Sequence, residues 1–354
     1  MNRLKVDFRL NPAVPRERAI LAHLEQFASG CWGAEIKRLL YRALVRSVPP
    51  PPGKASTPPG TRAERRAAFQ PPARPKPAYA AELLGLLSPA EVRGLTAVAW
   101  HPYLSASDLA RWLGCWPAST RGVLNFLQAK GAARAWPKAV QPWPRMTYYT
   151  LTGFGVLLLA VQEPESLSAM KHRLGIGPRQ WGFLARTVEA NRFFLALNAR
   201  RDAGRLEVWR SEGESRVTFP MVGRPRGAVL RPDGYGEWVV GSWRYPFFLE
   251  WDRHTDNPQK LRNKLQLYLK YYGYLQQAEA EQALPRLLFV AADSLGARAV
   301  LRLGKLQGSQ QPYYSLPVWV TDRQAIWQQG PLAEVWRPLS GGPQTGPWDE
   351  PPNT

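Results

Sequence analysis

The chain has 354 residues, more than one ordinary domain, and 45% of them are hydrophobic with 15 Trp among them, enough for buried cores. Lys and Arg number 47 against 27 Asp and Glu, a formal net charge of +20 that calls for a polyanionic partner, nucleic acid first. No apolar run approaches the roughly 18 residues of a membrane span, the opening MNRLKVDFRL lacks a signal-peptide core, and the two cysteines, Cys31 and Cys115, exclude a disulfide framework or a cysteine-rich zinc site, so a cytoplasmic protein without a membrane partner is expected.

Residues 1–48 open with LKVDFRLN, in which Leu4, Val6, Phe8 and Leu10 alternate with Lys5, Asp7 and Arg9, the period-two pattern of a strand. Ile20, Leu21, Leu24 and Phe27 then form one amphipathic helical face, and Ile36, Leu39, Leu40, Ala43 and Leu44 a second. Strand, helix, helix in so short a segment resembles a ribbon-helix-helix module. That resemblance implies a homodimer whose paired strands enter the major groove with Lys5, Asp7 and Arg9 facing bases; a helical cap with an edge strand is the alternative. Residues 49–78 are rich in Pro and basic side chains and poor in apolar ones, which predicts an extended spacer.

Residues 79–163 carry the clearest series of helices. Leu83 to Leu87 and Val92 to Trp100 read as helical, and Ser105 to Leu113 as a helix with Ser105 as N-cap and Asp108 at capping-box distance. After the turn GCWP, Ala118 to Lys130 turns Val123, Leu124 and Leu127 inward and exposes Ser119, Thr120, Arg121 and Asn125, with Gly131 ending it. The segment through MTYYTLT reads as two wing strands with a basic loop, and Gly153 to Val161 as a closing helix. The motifs LQAKGAAR and YYTLTGFG make this order similar to the winged helix-turn-helix of many bacterial proteins. The resemblance implies that Ser119, Thr120, Arg121 and Asn125 enter the major groove of double-stranded DNA and that Lys138 and Arg145 meet phosphates. A winged helix that binds only protein is the alternative.

Residues 164–340 read as a mixed α/β unit: a helix over Gln180 to Leu197, a strand over Leu206 to Arg210, then YGEWVV and RYPFFLEWD joined at Gly241-Ser242 as a hairpin. A helix over Asn257 to Leu275, a buried strand over Arg286 to Ala291, a helix over Leu295 to Leu303 and a strand over Leu316 to Thr321 follow. Asp233 precedes the hairpin, and Glu250 and Asp252, two residues apart, share a face at its end. Glu189, on the first helix, or Glu212, after the strand, could add a carboxylate, with a surface role as the first reading of either. Carboxylates at a strand end with a lysine nearby suit metal-dependent phosphodiester chemistry. They also suit a structural set, with Asp233 capping a turn and Glu250 and Asp252 paired with Arg253, Arg262 or the lysines. Pro232-Asp233 and Glu250 resemble the PD-(D/E)xK nuclease superfamily. The resemblance implies Asp233, Glu250 and Asp252 as ligands of Mg²⁺ or Mn²⁺ and as catalytic residues; Asp252 stands where that superfamily has its lysine, so the lysine's role falls to Lys264. Residues 341–354 read as a disordered tail.

The expected fold is therefore α+β and multidomain: a winged helix-turn-helix followed by a three-layer α/β restriction-endonuclease-like domain. A winged helix, then Pro232-Asp233, Glu250, Asp252, Lys264 with Tyr268, and the strand LLFVAAD together resemble the replication-relaxation family of plasmids and other mobile elements. Three readings stand open: a non-enzymatic DNA-binding protein of replication, mobilisation or its regulation; a metal-dependent DNA endonuclease; and a scaffold for replication or mobilisation proteins. His23, His101, His172 and His254 are scattered, which argues against a histidine-metal relaxase, and no G-x-x-x-x-G-K-[ST] loop supports a P-loop ATPase.

Overall fold

The computed structural model describes residues 61–70, 76–140, 143–163, 166–174, 181–253, 258–278, 284–308 and 317–349. Lys5, Arg9 and the whole proposed ribbon-helix-helix segment lie outside these residues. Among the described residues the chain is mixed α and β, with eleven helices and three sheets. None of those helices is long and apolar enough to cross a membrane.

The first group of elements runs α1 (Arg62–Ala68), α2 (Pro77–Leu86), α3 (Pro89–Trp100), β1 (Leu104–Ser105), α4 (Ala106–Leu113), α5 (Pro117–Ala129), β2 (Ala133–Val140), β3 (Trp143–Leu151) and α6 (Gly153–Gln162). The three strands form one antiparallel sheet in the order β1-β3-β2. Helix starts follow local chemistry. Ser88 and Ser105 each close a capping box, with Glu91 and with Asp108, and Thr152 caps α6 through the N–H of Gly155.

Helix α1 corrects the expectation of an extended spacer. Thr61 and Glu64 cap it, Arg66 pairs with Glu91, and Lys130 Nζ donates to the carbonyls of Ala67 and Phe69 at 3.1 and 2.8 Å. Phe69 is buried and stacks on Phe154. Proline and charge averaged over thirty residues hid a short capped helix with a single apolar anchor.

After α7 (Leu167–Arg173), the second group runs α8 (Trp181–Asn198), β4 (Arg205–Ser211), β5 (Val217–Met221), β6 (Arg224–Leu230), β7 (Gly234–Val240), β8 (Trp243–Trp251), α9 (Pro258–Ala278), β9 (Arg286–Ala291), α10 (Ser294–Gly308), β10 (Val318–Asp322), α11 (Arg323–Gln329) and β11 (Arg337–Pro338). Six strands make one sheet in the order β11-β10-β9-β8-β7-β4, with β8, β9 and β10 parallel and the other pairs antiparallel. Strands β5 and β6 pair only with each other, as a separate ribbon.

Side-chain alternation builds two cores, one on each side of this sheet. Phe247, Leu249, Trp251, Leu288, Val290 and Trp319 pack with Phe193 and Phe194 of α8 and Ile326 of α11. Phe248, Leu287, Phe289, Val318 and Val320 pack with Leu261, Leu265 and Tyr268 of α9, Val300 of α10 and Phe219 of the ribbon. Helix α8 approaches closely because β7 has glycines on that face: a Cβ on Gly234 or Gly236 would stand within 2.5 Å or 2.8 Å of the Phe194 ring.

The two groups are packed together. Asn191 Nδ2 donates to the carbonyl of Pro102 at 2.8 Å, and Arg192 reaches Asp108 at 3.5 Å. His101 stacks on Trp209 at 3.7 Å between centroids, and burial pushes its imidazole down to about 3, so it serves as a neutral aromatic ring. The expected tail is corrected as far as residue 349. Trp348 packs on Trp238, Tyr245 and Phe247, and Arg286 donates to the carbonyl of Pro347 while lying against Tyr245 and Trp319. Glycines and prolines made that segment read as disordered, but Trp348 buries apolar area against the sheet.

Candidate nucleic-acid interface and carboxylate centre

Helix α4 ends on Gly114 in the left-handed region at φ 64, and α5 begins again at Pro117. This sharp re-entry sets one face of α5 outward. Ser119, Arg121, Asn125 and Gln128 are exposed on it, while Leu124 and Leu127 are buried. Thr120 corrects the expected set: it is buried, and its hydroxyl donates to the carbonyl of Trp116 at 3.2 Å and lies 3.1 Å from Cys115 Sγ. It closes the first turn of α5 instead of facing outward, because Trp116 lacks a capping side chain. Trp116 itself is 81% exposed, next to this face. Lys138 and Arg145 lie on β2 and β3, which pair as a hairpin beside α5; their side chains are outside the described set.

The carboxylate centre forms where β7 begins and β8 ends. Antiparallel pairing sets Gly234 against Leu249, and Asp233 just ahead accepts the Trp251 N–H on Oδ2 at 2.8 Å. Its Oδ1 pairs with Arg186 Nε of α8 at 3.0 Å. Glu250 points to the opposite face, toward α9, and is 1% exposed. Lys264 Nζ donates to its Oε2 at 2.8 Å and the Tyr268 hydroxyl to its Oε1 at 2.6 Å. Lys264 and Tyr268 stand four residues apart on one stripe of α9, which is why both reach the same carboxylate. Burial, only partly offset by Lys264 and reinforced by the Asp233 charge, pushes Glu250 up to about 7. The Tyr268 phenol is pushed well above its ordinary value by the same burial and by Glu250, so it stays a donor. Asp252 follows β8, half-buried, with its N–H on the Val290 carbonyl at 2.9 Å.

Asp233, Glu250 and Asp252 were expected to hold a divalent ion, and the donor set tests this. Each oxygen of Asp233 and Glu250 already accepts from a protein donor, and Arg186 and Lys264 supply the positive charge that an ion would bring. Among the described residues no three Asp, Glu, His or Cys side chains gather in a group that could hold a metal. The residues as arranged do not fit Mg²⁺ or Mn²⁺, and no step is derived through either.

A further buried carboxylate lies on the α8 face of the sheet, opposite Glu250. Glu189 of α8, expected at the surface, is fully buried. Trp251 Nε1 donates to its Oε2 at 2.5 Å, and Arg253 Nε and Arg323 Nη1 approach its Oε1 at 3.3 and 3.6 Å. Burial raises its pKa, and Arg253, Trp251 and Arg323 work against that rise. Glu212 is half-buried and sits 3.4 Å from Arg186. The pairing of Arg186 with Asp233, and of Glu189 with Trp251, Arg253 and Arg323, was not legible in the sequence. The partners in each pair are far apart in sequence, and only the placement of α8 beside the ends of β8 and β10 brings them together. The three-to-four spacing of Arg186 and Glu189 on one helix was the only signal available.

A search of curated proteins and of solved structures returned no match. The sequence model of the replication-relaxation family matches residues 95–287, a span that takes in the second half of α3, the α4–α5 turn, the β2–β3 hairpin and both carboxylates of the centre. With more than half of its length inside that match, the chain belongs to the replication-relaxation family.

Proposed function

We propose that the protein binds double-stranded DNA in the replication or mobilisation of a plasmid or other mobile element, or in the regulation of those steps. Membership of the replication-relaxation family points to that setting. In this reading residues 79–163 act as a winged helix-turn-helix, with α5 as the recognition helix and β2–β3 as the wing. The carrying observation is the face of α5: Ser119, Arg121 and Asn125 stand outward at groove-reading spacing beyond the tight turn at Gly114, in a chain of net charge +20.

The test is a comparison of two duplexes, one selected by the protein from a randomised pool and one of random sequence. Arg121→Ala should lower the preference between them by about 10–100-fold, as loss of a base contact does. Lys138→Ala should weaken both alike. Equal losses on both duplexes for Arg121→Ala would remove α5 as the reading element.

Metal-dependent cleavage is the second reading, favoured by the convergence of Asp233, Glu250 and Lys264 and opposed by the occupied carboxylate oxygens. Supercoiled plasmid incubated with the protein and Mg²⁺ or Mn²⁺ is expected to stay intact. Nicking that disappears in Asp233→Ala would overturn the binding-only reading.

A further inference from the structure

One layer of the protein is basic throughout. The β5–β6 ribbon, α9 and α10 all pack on the same side of the six-stranded sheet, the ribbon and α10 each against α9. Together these elements contain nine lysines and arginines and no aspartate or glutamate. Their inward residues are apolar or aromatic, and Arg224, Arg226, Arg262, Lys270, Arg298 and Arg302 are exposed. None of these six forms an ion pair among the described residues.

The surface around the β4 edge of the sheet differs. Around β4, β7 and β8, arginines stand beside acids: Arg200 with Asp202 at 3.2 Å, Arg205 with Glu207, and Arg244 with Glu207 at 2.6 Å and with Glu237. Those charges neutralise each other locally. No acid among the described residues does this for the six exposed side chains of the ribbon, α9 and α10, and same-sign charges held on one folded face repel one another unless a polyanion lies over them. The ribbon adds a shape. Its base is anchored by Phe219, Ala228 and Leu230, and it turns at Val222-Gly223, where Val222 is 100% exposed and Arg224 and Arg226 follow on one side of the strand.

We infer that the face formed by the β5–β6 ribbon, α9 and α10 is a second contact surface for duplex DNA, independent of the α5 face and binding the phosphate backbone without regard to sequence. It rests on the proposed function only in the choice of DNA as the polyanion. Lys264, on the inner margin of this layer, is the residue that reaches Glu250, so backbone laid over α9 passes beside the carboxylate centre.

The test uses the full chain carrying Arg224→Ser, Arg226→Ser, Arg262→Ser and Arg298→Ser together, all exposed positions whose loss leaves both cores intact. Fluorescence anisotropy with a random-sequence duplex between about 50 and 200 mM salt should show the plot of log affinity against log salt flattened by about 3.6, at roughly 0.9 for each of the four phosphate contacts. Affinity should fall about 10–100-fold. A control carrying Arg205→Ser and Arg244→Ser, which removes paired charges, should change little, and circular dichroism melting should match the wild type for both. Arg121→Ala has the opposite signature, losing preference for the selected duplex while keeping the salt slope within about 1. An unchanged slope and affinity in the quadruple variant would overturn the inference while leaving the α5 reading standing. Competition by poly-glutamate as effective as by duplex would overturn it in favour of an acidic protein partner.

Discussion

Glu189→Ala should destabilise the sheet-containing part of the protein by about 3–5 kcal/mol, the range for breaking a buried charged network by removing one partner. The carboxylate is fully buried, yet one hydrogen-bond donor, Trp251 Nε1, and two guanidiniums, Arg253 and Arg323, converge on it from the end of β8 and the start of α11. Alanine leaves the Trp251 N–H buried without an acceptor and two guanidiniums facing each other across the vacated space. Glu189→Gln keeps one acceptor oxygen and the volume but removes the charge, and should cost less, about 1–3 kcal/mol. Urea unfolding of the three proteins at neutral pH distinguishes the cases. A Glu189→Ala protein within about 1 kcal/mol of wild type would mean that the arginines are satisfied by water and that the network contributes nothing.

The second large effect depends on pH and comes from Glu250. Its folded-state value lies at about 7 against an ordinary 4.5. Below about 4.5 the carboxyl is protonated in both states and its contribution to stability is fully present. As pH rises toward 7 the unfolded chain gives up this proton while the folded protein holds it, so stability is lost, and the loss is complete above 7. At about 1.4 kcal/mol per pH unit the group accounts for ~3 kcal/mol between pH 5 and 8. Glu250→Gln should flatten this part of the stability profile and melt higher than wild type at pH 8. Lys264→Ala removes the main influence that lowers the Glu250 value, so it should be nearly neutral at pH 5 and clearly destabilising at pH 8. Unfolding measured at half-unit pH steps gives both results. A Glu250→Gln profile parallel to wild type would show that the carboxyl titrates in its ordinary range.

Both effects bear on function through position. Asp233 pairs with Arg186 and Glu250 with Lys264 at short range where β7 begins and β8 ends, one pair toward α8 and the other toward α9. The centre therefore ties both helical layers to the same two strands. The basic layer that includes α9 is built on that tie.

The sequence by itself determined whatever depends on neighbours a few residues apart. Strand β9 runs from Arg286 to Ala291 as its apolar run predicts, the β7–β8 hairpin turns at Gly241-Ser242, and Ser105 with Asp108 caps α4. Gly131 follows α5 at φ 69, and the stripe of Leu261, Leu265, Tyr268 and Tyr272 faces inward on α9. Period, turn chemistry and capping are short-range physics, so they can be read along the chain. Only the tertiary structure decided which charges meet. Glu189 and Trp251 are 62 positions apart, Lys130 and Phe69 61, and Arg286 and Pro347 61. Burial of Glu189, the pairing of Asp233 with Arg186, the inward turn of Thr120 and the docking of Trp348 are each fixed by which segments pack together. No local pattern encodes a carboxylate's desolvation or the arrival of a guanidinium from another element, because both arise only when the sheet brings distant residues within a few ångströms.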